Sequence, residues 1–299
     1  MRVFVTGATG FIGSAVIPEL LRAGHRVLGL ARSDAAAQSL LAMGAEVHRG
    51  GLEDLESLRS GAAICDGVIH TAFIHDFSKY KESCETDRKV IEALGSGIEG
   101  SDRPLIVTSA TSVLKPGRLA TEEDAAAGSS TTVPRAASEE AADSTAARGV
   151  RAAIVRLPLT VHGDGDHAFV PLLISTAREK GVSAYVGSGH NRWPAVHRLD
   201  AAHLYRLAVE NRFAAGSRFH CVADEGVPVR EIAEVIGRRL NVPVVGKPAE
   251  EAGGHFGWMA YFLGMDCPAS SEKTQERLGW RPTHASLIQD LDGPTYFAS

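Results

Sequence analysis

The sequence predicts an α/β protein built on a doubly wound parallel sheet, with a smaller C-terminal portion. Short apolar runs rich in β-branched residues alternate with amphipathic segments, starting with residues 2–5 and 14–21. Strands that are buried on both faces and separated by helices are typical of parallel sheets, which bind ligands at their carboxyl edge. A glycine-rich turn joins the first strand to the first helix, and 299 residues, 44% of them hydrophobic, are enough for a large core.

The strand and helix alternation continues through the first half of the chain. Further strands are predicted at residues 26–30, 45–48, 67–71, 105–109 and 152–156. Helices are predicted at residues 34–43, 169–180, 201–210 and 229–240, with Asp200 as the N-cap of the third of these. Such an alternation of strands and helices is typical of a single sheet with helices packed on its faces.

The glycine-rich turn reads Thr6-Gly7-Ala8-Thr9-Gly10-Phe11-Ile12-Gly13. Gly7 permits the tight turn, Gly10 removes a side chain where a pyrophosphate meets backbone N–H groups, and Gly13 lets the helix pack close to the strand. An ordinary glycine-rich turn is the alternative, but the strand–helix context favours a dinucleotide site. Its predicted contacts are Thr6, Gly7, Thr9, Gly10, Phe11, Ile12 and Gly13, together with Leu52, Thr71, Ala72 and Pro158.

The end of the second strand favours NADP over NAD. An NAD site usually places a carboxylate about 20 residues beyond the glycines, where it binds the ribose hydroxyls. Here the strand ends in Ala31-Arg32-Ser33. A guanidinium and a hydroxyl suit a 2′-phosphate, so Arg32 and Ser33 join the predicted cofactor contacts. In the alternative interpretation Arg32 caps a surface loop and Asp34 binds the ribose.

Composition indicates which other classes of protein are not expected. A net charge of −5 gives no reason to expect nucleic acid or an anionic membrane as a partner. The four cysteines form no CxxC pair, so neither a metal site nor a disulfide framework is predicted. No apolar run has the length of a membrane span, and Met1 directly precedes the first strand, so a cytoplasmic location is expected.

Four segments together resemble the short-chain dehydrogenase/reductase superfamily, in its extended branch of epimerases and dehydratases. They are the glycine turn and residues 105–109, 155–163 and 196–202. The resemblance implies a Rossmann core over residues 1–160, rejoined by about 196–224, with residues 161–195 and 225–299 as a smaller substrate-binding portion. It also implies a late sheet strand near residues 218–222, and it leaves open whether two copies pair as a homodimer.

The chain departs from this family at its catalytic pair. Family members carry Tyr-x-x-x-Lys after the fifth strand, where the tyrosine transfers a proton and the lysine lowers its pKa. None of the tyrosines here has a lysine four residues later. Aligning Ser138 with the family's serine places Arg135 in the tyrosine position and Glu139 in the lysine position, which indicates an atypical member.

Two residues near the fifth strand are candidates for contacting the substrate oxygen. Arg135 stays protonated, but its N–H donors can stabilise a developing alkoxide. Ser109, with Thr108 as the second choice, lies where the family keeps its hydroxyl. The alternatives are a surface Arg135–Glu139 pair and a serine bonded to backbone.

Histidine is the natural replacement for the missing proton carrier, because its unperturbed pKa lies near neutrality. His75 follows the fourth strand at the predicted cleft, and His197 follows Trp193 in a segment that enters the substrate cleft in family members. For either histidine, a hydrogen bond to a nearby carbonyl is the structural alternative.

These observations predict an NADP-dependent oxidoreductase that acts on a small molecule containing a carbonyl or related group. A dinucleotide-binding sensor without catalysis is the alternative, and an epimerase or dehydratase is a variant of the first. The aromatic stretch 255–263 is predicted to pack in the core or against another subunit, or else to line an apolar substrate pocket.

Overall fold

The computed structural model describes residues 1–297 and divides their strands among three sheets. The strands are β1 (Arg2–Thr6), β2 (Arg26–Ala31), β3 (Glu46–Arg49), β4 (Gly67–His70), β5 (Pro104–Ala110), β6 (Arg151–Leu157), β7 (Thr160–His162), β8 (Ser183–Val186), β9 (Arg192–His197), β10 (Ser217–His220), β11 (Asp224–Pro228) and β12 (Val244–Lys247). The main sheet has seven strands in the order β10-β6-β5-β4-β1-β2-β3.

The helices fill the intervals between these strands and the end of the chain. They are α1 (Gly13–Arg22), α2 (Asp34–Ala42), α3 (Leu55–Ala63), α4 (Tyr80–Ser96), α5 (Ala136–Ala147), α6 (Phe169–Lys180), α7 (Arg198–Glu210), α8 (Val229–Leu240), α9 (Ala249–Phe256), α10 (Ala260–Leu263), α11 (Glu272–Leu278) and α12 (Leu287–Leu291). Within residues 1–297, no helix combines the length and hydrophobicity needed to cross a bilayer.

All seven strands of the main sheet run parallel, and helices cover both of its faces. One apolar cluster joins α1, α2 and α7 to one face, and a second joins α3, α4 and α5 to the other. The strand order reverses between β1 and β4, so the crevice of the sheet opens beyond their carboxyl ends. The predicted doubly wound α/β fold is confirmed.

Two small sheets lie outside this core, and most of their strands were not predicted. The first has the order β11-β9-β7 and the second pairs β12 with β8. Strands such as Thr160–His162, with three residues, are too short to show alternation. Trp193 on β9 is fully buried beside α6 and α8. The division into residues 1–160 and the later segments stays a prediction.

Asp200 is not the N-cap predicted for α7. The helix begins at Arg198, three residues earlier than predicted, and His197 caps it by accepting a hydrogen bond from Leu199 N–H. Asp200 is buried and accepts the N–H groups of Thr283 and His284, each at 3.0 Å. The carboxylate therefore fastens the C-terminal segment to the first turn of α7.

A buried ionic cluster lies where β6 and β10 pair. Arg156 is 0% exposed and makes a two-armed contact with Glu139, with both N–O distances 2.8 Å. His220 lies on the other side of the guanidinium, with 3.3 Å between its Nε2 and Nη1 of Arg156. Its Nδ1 is 2.7 Å from the carbonyl oxygen of Ser270. Burial, together with the nearby Arg156 cation, lowers the pKa of His220 to about 4.

His220 should make the stability of the protein depend on pH between about 6.5 and 4. Its pKa is lower in the folded state than in the unfolded chain, so the unfolded chain binds more protons in this interval and stability falls as the pH falls. Protonation of this single group should lower the free energy of unfolding by about 2 kcal/mol between pH 7 and pH 5. Urea unfolding of the wild type and of His220→Gln, each at pH 7 and at pH 5, measures this cost. The cost is the loss of unfolding free energy between the two pH values in the wild type minus the same loss in the variant.

The glutamine keeps a donor for the Ser270 carbonyl but cannot be protonated in this range. Any other group that titrates over the same interval, such as His197, is present in both proteins and cancels. Equal pH dependence in the two proteins would assign the proton uptake to another group.

Candidate functional site

The glycine turn lies at the point where the strand order reverses, between β1 and β4. Gly7 has φ +66°, and a Cβ there would lie 2.6 Å from the nitrogen of Ala72 in the loop after β4. A Cβ on Gly13 would lie 2.1 Å from the carbonyl oxygen of Gly7. Only glycine fits at these two positions, because the turn, the first helix and the neighbouring loop approach each other at backbone contact.

The N-terminus of α1 has the features of an anion site. Its first turn contains no acidic residue, and no side chain caps it. Among the described residues, no hydrogen bond occupies the N–H groups of Phe11 and Ile12. Thr9 and Gly10 are exposed beside them, so the backbone cradle is open to solvent. These residues fit the pyrophosphate of a dinucleotide, which binds to free N–H groups at a helix N-terminus.

The predicted contacts at β2 lie on the same edge of the sheet. Arg32 is exposed and has no ion-pair or hydrogen-bond partner within residues 1–297. Ser33 is the N-cap of α2 and accepts the N–H of Ala36 at 3.2 Å. Asp34, the alternative ribose ligand, pairs instead with Arg49 at the end of β3, at 2.6 Å. Among residues 1–297, Arg32 is therefore the unpaired cation at this corner.

The remaining predicted cofactor contacts follow other strands of the sheet. Thr71 bonds to the carbonyl oxygen of Thr6 through its hydroxyl, at 2.8 Å, and so ties β4 to β1. Ala72 lies against Gly7, Leu52 is half-buried after β3, and Pro158 is buried directly after β6. Every predicted cofactor contact thus lies at the carboxyl edge, and their roles stay predictions.

Arg135 is buried at the carboxyl end of β5, directly before α5. Its side chain pairs with Asp87 on α4, with 2.7 Å between Nη1 and Oδ2, and also donates to Ser138. The second arm, Nη2, donates to the carbonyl oxygen of Thr108 at 2.9 Å. The ring of Phe73 covers the guanidinium, with 4.1 Å between the central carbon and the ring centre. The alternative of a surface pair between Arg135 and Glu139 does not hold, because Glu139 is buried and binds Arg156 instead.

Asp87 connects Arg135 to the strands beside the glycine turn. Its other oxygen is 2.9 Å from Nε2 of His70 on β4, and Nδ1 of His70 is 2.6 Å from the hydroxyl of Thr6 on β1. Burial alone would raise the pKa of Asp87, but Arg135 and His70 outweigh it and hold this pKa far below its usual range. The carboxylate therefore stays charged and holds Arg135 in place.

Ser109 is turned away from this cluster. It is 1% exposed, and its hydroxyl donates to Glu139 at 2.9 Å. The second choice, Thr108, is also occupied, since its hydroxyl bonds to the carbonyl oxygen of His70 and to the hydroxyl of Tyr205. Both hydroxyls therefore make hydrogen bonds within the protein, as the alternative interpretation expected. Ser109, however, bonds to a side chain rather than to backbone. A substrate contact by Ser109 stays a prediction.

His75 lies in the same loop as Phe73, which covers Arg135. The two rings meet edge to face, with centres 5.2 Å apart, and His75 is exposed. His75 and Arg135 therefore contact the same aromatic ring, one from the solvent side and one from the interior. Its position suits exchange of a proton with water near Arg135.

His197 belongs to a different cluster. Its ring stacks on His284 with centres 4.7 Å apart and meets His162 edge to face at 5.4 Å. Burial and these two rings lower the pKa of His197. The expected entrance formed with Trp193 is wrong, since Trp193 is fully buried and donates through Nε1 to the carbonyl oxygen of Phe262.

The aromatic stretch 255–263 is divided between core and surface. Phe256, Met259 and Leu263 are buried in the C-terminal core, as predicted for core packing. Trp258 is 47% exposed and stacks on Phe77 from the segment before α4, with ring centres 4.4 Å apart. This stacked pair forms an apolar contact between the segment before α4 and the segment before α10.

Asp87 was missed by the sequence analysis although the sequence contains a signal for it. It lies in the apolar stripe of α4 with Cys84, Ile91 and Leu94, all buried. A carboxylate within such a stripe needs a cation, and a buried arginine is the usual partner. Arg156 gives the same signal, because it interrupts an otherwise apolar buried strand.

Comparison with known proteins agrees with this geometry. The profile of the NAD dependent epimerase/dehydratase family matches residues 3–221. An uncharacterised protein of Schizosaccharomyces pombe is 54% identical over 298 residues, covering 99% of this chain and 100% of that protein. The 4-hydroxy-2-methyl-3-oxo-4-farnesyl-3,4-dihydroquinoline-1-oxide ketoreductase of Stigmatella aurantiaca is 27% identical, covering 97% of this chain and 96% of that enzyme.

A solved structure gives the same result for the fold. The dTDP-glucose 4,6-dehydratase of Streptomyces venezuelae, in a crystal structure with NAD bound, superimposes with a TM-score of 0.78 and 20% identity. The match covers 98% of this chain and 95% of that enzyme. With a family match over residues 3–221 and a glycine turn built for a dinucleotide, the chain belongs to the NAD dependent epimerase/dehydratase family of the extended short-chain dehydrogenases/reductases.

Proposed function

We propose that this protein is an NADP-dependent oxidoreductase that reduces a carbonyl group with Arg135 as the donor to its oxygen. The observation that carries the proposal is the placement of a buried guanidinium beside the crevice, where the resemblance places the family's tyrosine. Asp87, Ser138 and the Thr108 carbonyl engage three of its N–H groups. An arginine has five N–H groups. Two of those on Arg135 have no partner within the part of the chain that the structure describes, and they are available to a ligand.

The chemistry of arginine suits a hydride transfer that places negative charge on a substrate oxygen. When a hydride reaches a carbonyl carbon, negative charge develops on the oxygen, and a fixed cation stabilises it. A guanidinium cannot itself exchange the hydroxyl proton, so a second group has to carry this proton in either direction of the reaction. Although burial opposes its charge, the adjacent Asp87 raises the pKa of Arg135 above its ordinary value.

The proton that completes the alcohol comes from His75 or from water. His75 is exposed on the loop whose Phe73 covers Arg135, so it can exchange protons with solvent. His197 contacts His162 and His284 rather than Phe73, and for this reason it is the weaker candidate. A bound nicotinamide cofactor would supply the hydride at this edge of the sheet.

Support for NADP comes from the corner formed by β2 and β3. Arg32 has no carboxylate partner among the described residues, whereas Asp34 is paired with Arg49. A 2′-phosphate would find a free guanidinium here, and a ribose hydroxyl would find its candidate acceptor already bonded.

Support for a carbonyl substrate comes from the aromatic side chains near Arg135 and from one relative. Phe73 covers Arg135, and its ring centre lies 6.1 Å from that of Tyr80. Tyr80 in turn stacks on Phe77, which stacks on Trp258, so aromatic rings extend outward from Arg135. The Stigmatella aurantiaca relative is named as a ketoreductase of a farnesylated dihydroquinoline oxide. A ketone with a large apolar or aromatic body is therefore the substrate class to test first.

The cofactor assignment predicts that Arg32→Ala selectively weakens the binding of NADPH. Loss of a charge-assisted contact with a phosphate should raise the Kd for NADPH about tenfold or more and leave that for NADH within about twofold. Titration of nicotinamide fluorescence with both cofactors measures this selectivity. Arg22→Ala is the matched control, because Arg22 is an exposed arginine at the opposite end of α1.

Two results would contradict the assignment. One is a wild type that binds NADH more tightly than NADPH. The other is an Arg32→Ala variant with unchanged affinity for NADPH.

The role of Arg135 predicts a loss of turnover in Arg135→Lys. The lysine keeps the positive charge beside Asp87 but lacks the fork that reaches the Asp87 carboxylate and a substrate oxygen together. Loss of one oxyanion donor lowers kcat by about 10²–10³-fold. The measurement is NADPH oxidation with a panel of ketones and aldehydes. Arg88→Lys is the matched control, since Arg88 also pairs with carboxylates on α4 and α5 but is not a substrate contact in this proposal.

Turnover by Arg135→Lys equal to that of the control would reject the donor role. Tight NADPH binding with no turnover on any compound of the panel would instead favour the alternative of a dinucleotide sensor. That alternative is supported by the absence of Tyr-x-x-x-Lys from the sequence.

Arg135→Met should lower the stability of the fold as well as activity. Removing the cation leaves the Asp87 carboxylate buried without its main partner, which costs about 3–5 kcal/mol. Urea unfolding of Arg135→Met and of the double variant Asp87→Asn with Arg135→Met measures the cost of the unpaired charge. The double variant should regain part of the loss, and a single variant as stable as the wild type would show that the pair contributes nothing.

A further inference from the structure

Arg198 lies over the glycine turn, although it comes from the start of α7. Its Nη2 donates to the hydroxyl of Ser14, in the first turn of α1, at 2.9 Å. Its guanidinium also covers the ring of Phe11, with 4.7 Å from the central carbon to the ring centre. The side chain therefore reaches the positive end of α1, within one turn of the free N–H groups of Phe11 and Ile12.

A guanidinium at this place is electrostatically unfavourable unless an anion joins it. The N-terminus of α1 carries a partial positive charge and has no acidic residue in its first turn. Within residues 1–297, Arg198 forms no ion pair, and its Nε is buried without a hydrogen-bond partner. Asp164 is close enough to act on its charge, but only the backbone carbonyl of Asp164 bonds to Arg198.

The loop after β7 holds Arg198 in this position. Gly163 has φ +129°, and a Cβ there would lie 3.0 Å from Cγ of Arg198. His167, farther along the loop, meets the ring of Phe11 edge to face at 5.8 Å. The aliphatic part of the Arg198 side chain thus packs against Gly163. The ring of Phe11 contacts both Arg198 and His167.

We propose that Arg198 is a second phosphate ligand, which binds the pyrophosphate of the dinucleotide together with the N–H groups of the glycine turn. The anion supplies the negative charge that the turn and the guanidinium lack. Because Arg198 begins α7 and bonds to the loop after β7, the bound pyrophosphate also fastens that loop to the turn. This assignment rests on the dinucleotide binding of the proposed function.

The test compares ligands that contain the pyrophosphate or lack it. In Arg198→Gln, the Kd values for NADPH, NADH and ADP should all rise about tenfold or more, because each ligand contains the diphosphate. Adenosine contains none, so its binding should be unchanged. Isothermal titration calorimetry measures all four, and the same titrations on Arg32→Ala should show weakening for NADPH alone.

Arg206→Gln is the matched control. Arg206 lies on the same helix and also reaches α1, but Glu19 and Glu210 neutralise it. Its removal should leave all four Kd values within about twofold. Wild-type affinity for NADPH and NADH in Arg198→Gln would overturn the role of Arg198 while leaving the proposed function intact. A wild type that binds neither NADPH nor NADH would overturn both.

Discussion

The ion pair between Asp87 and Arg135 is the interaction on which the candidate site depends. It joins the middle of α4 to the start of α5, and through His70 and Thr6 it reaches β4 and β1 beside the glycine turn. Burying two charges is costly, and attraction between them offsets the cost only when each is also hydrogen-bonded. Here Ser138 and the Thr108 carbonyl bond to the guanidinium, and His70 bonds to the carboxylate. These bonds hold the guanidinium in one position.

The two departures from the Tyr-x-x-x-Lys pattern depend on different partners. Arg135, in the tyrosine position, requires Asp87, and Glu139, in the lysine position, requires Arg156 and is also bonded by Ser109. A lysine at residue 139 would face the fully buried Arg156, and a tyrosine at residue 135 would leave Asp87 without its cation. In the alignment proposed here, each replacement therefore has a charged partner elsewhere in the fold.

The sequence was sufficient to predict the fold and the glycine turn, because periodicity and the positions of Gly7, Gly10 and Gly13 depend on local spacing. Arg135 was identified from its alignment with the family's motif, but its partner is 48 residues away and no local pattern connects them. The polarity of neighbouring residues gave the wrong burial for two side chains. Trp193 looked like part of an entrance and lies in the core, and Glu139 looked like a surface partner of Arg135 and is buried. The short strands β7, β11 and β12 depend on pairing with distant segments, which a single sequence does not show.

The arginines with a carboxylate partner differ from those to which we assign a binding role. Arg156 and Arg206 have carboxylates beside them, so their charges are already neutralised by the protein. Arg32 and Arg198 lie at the carboxyl edge of the sheet and, within the described residues, have no such partner. An unneutralised guanidinium next to the N-terminus of a helix raises the local potential, and a dianionic or trianionic ligand lowers it again. Under the proposed function Arg135 belongs to both groups. Asp87 neutralises its charge, and two of its N–H groups, which have no partner among the described residues, would bind an oxygen that becomes negative only during the reaction.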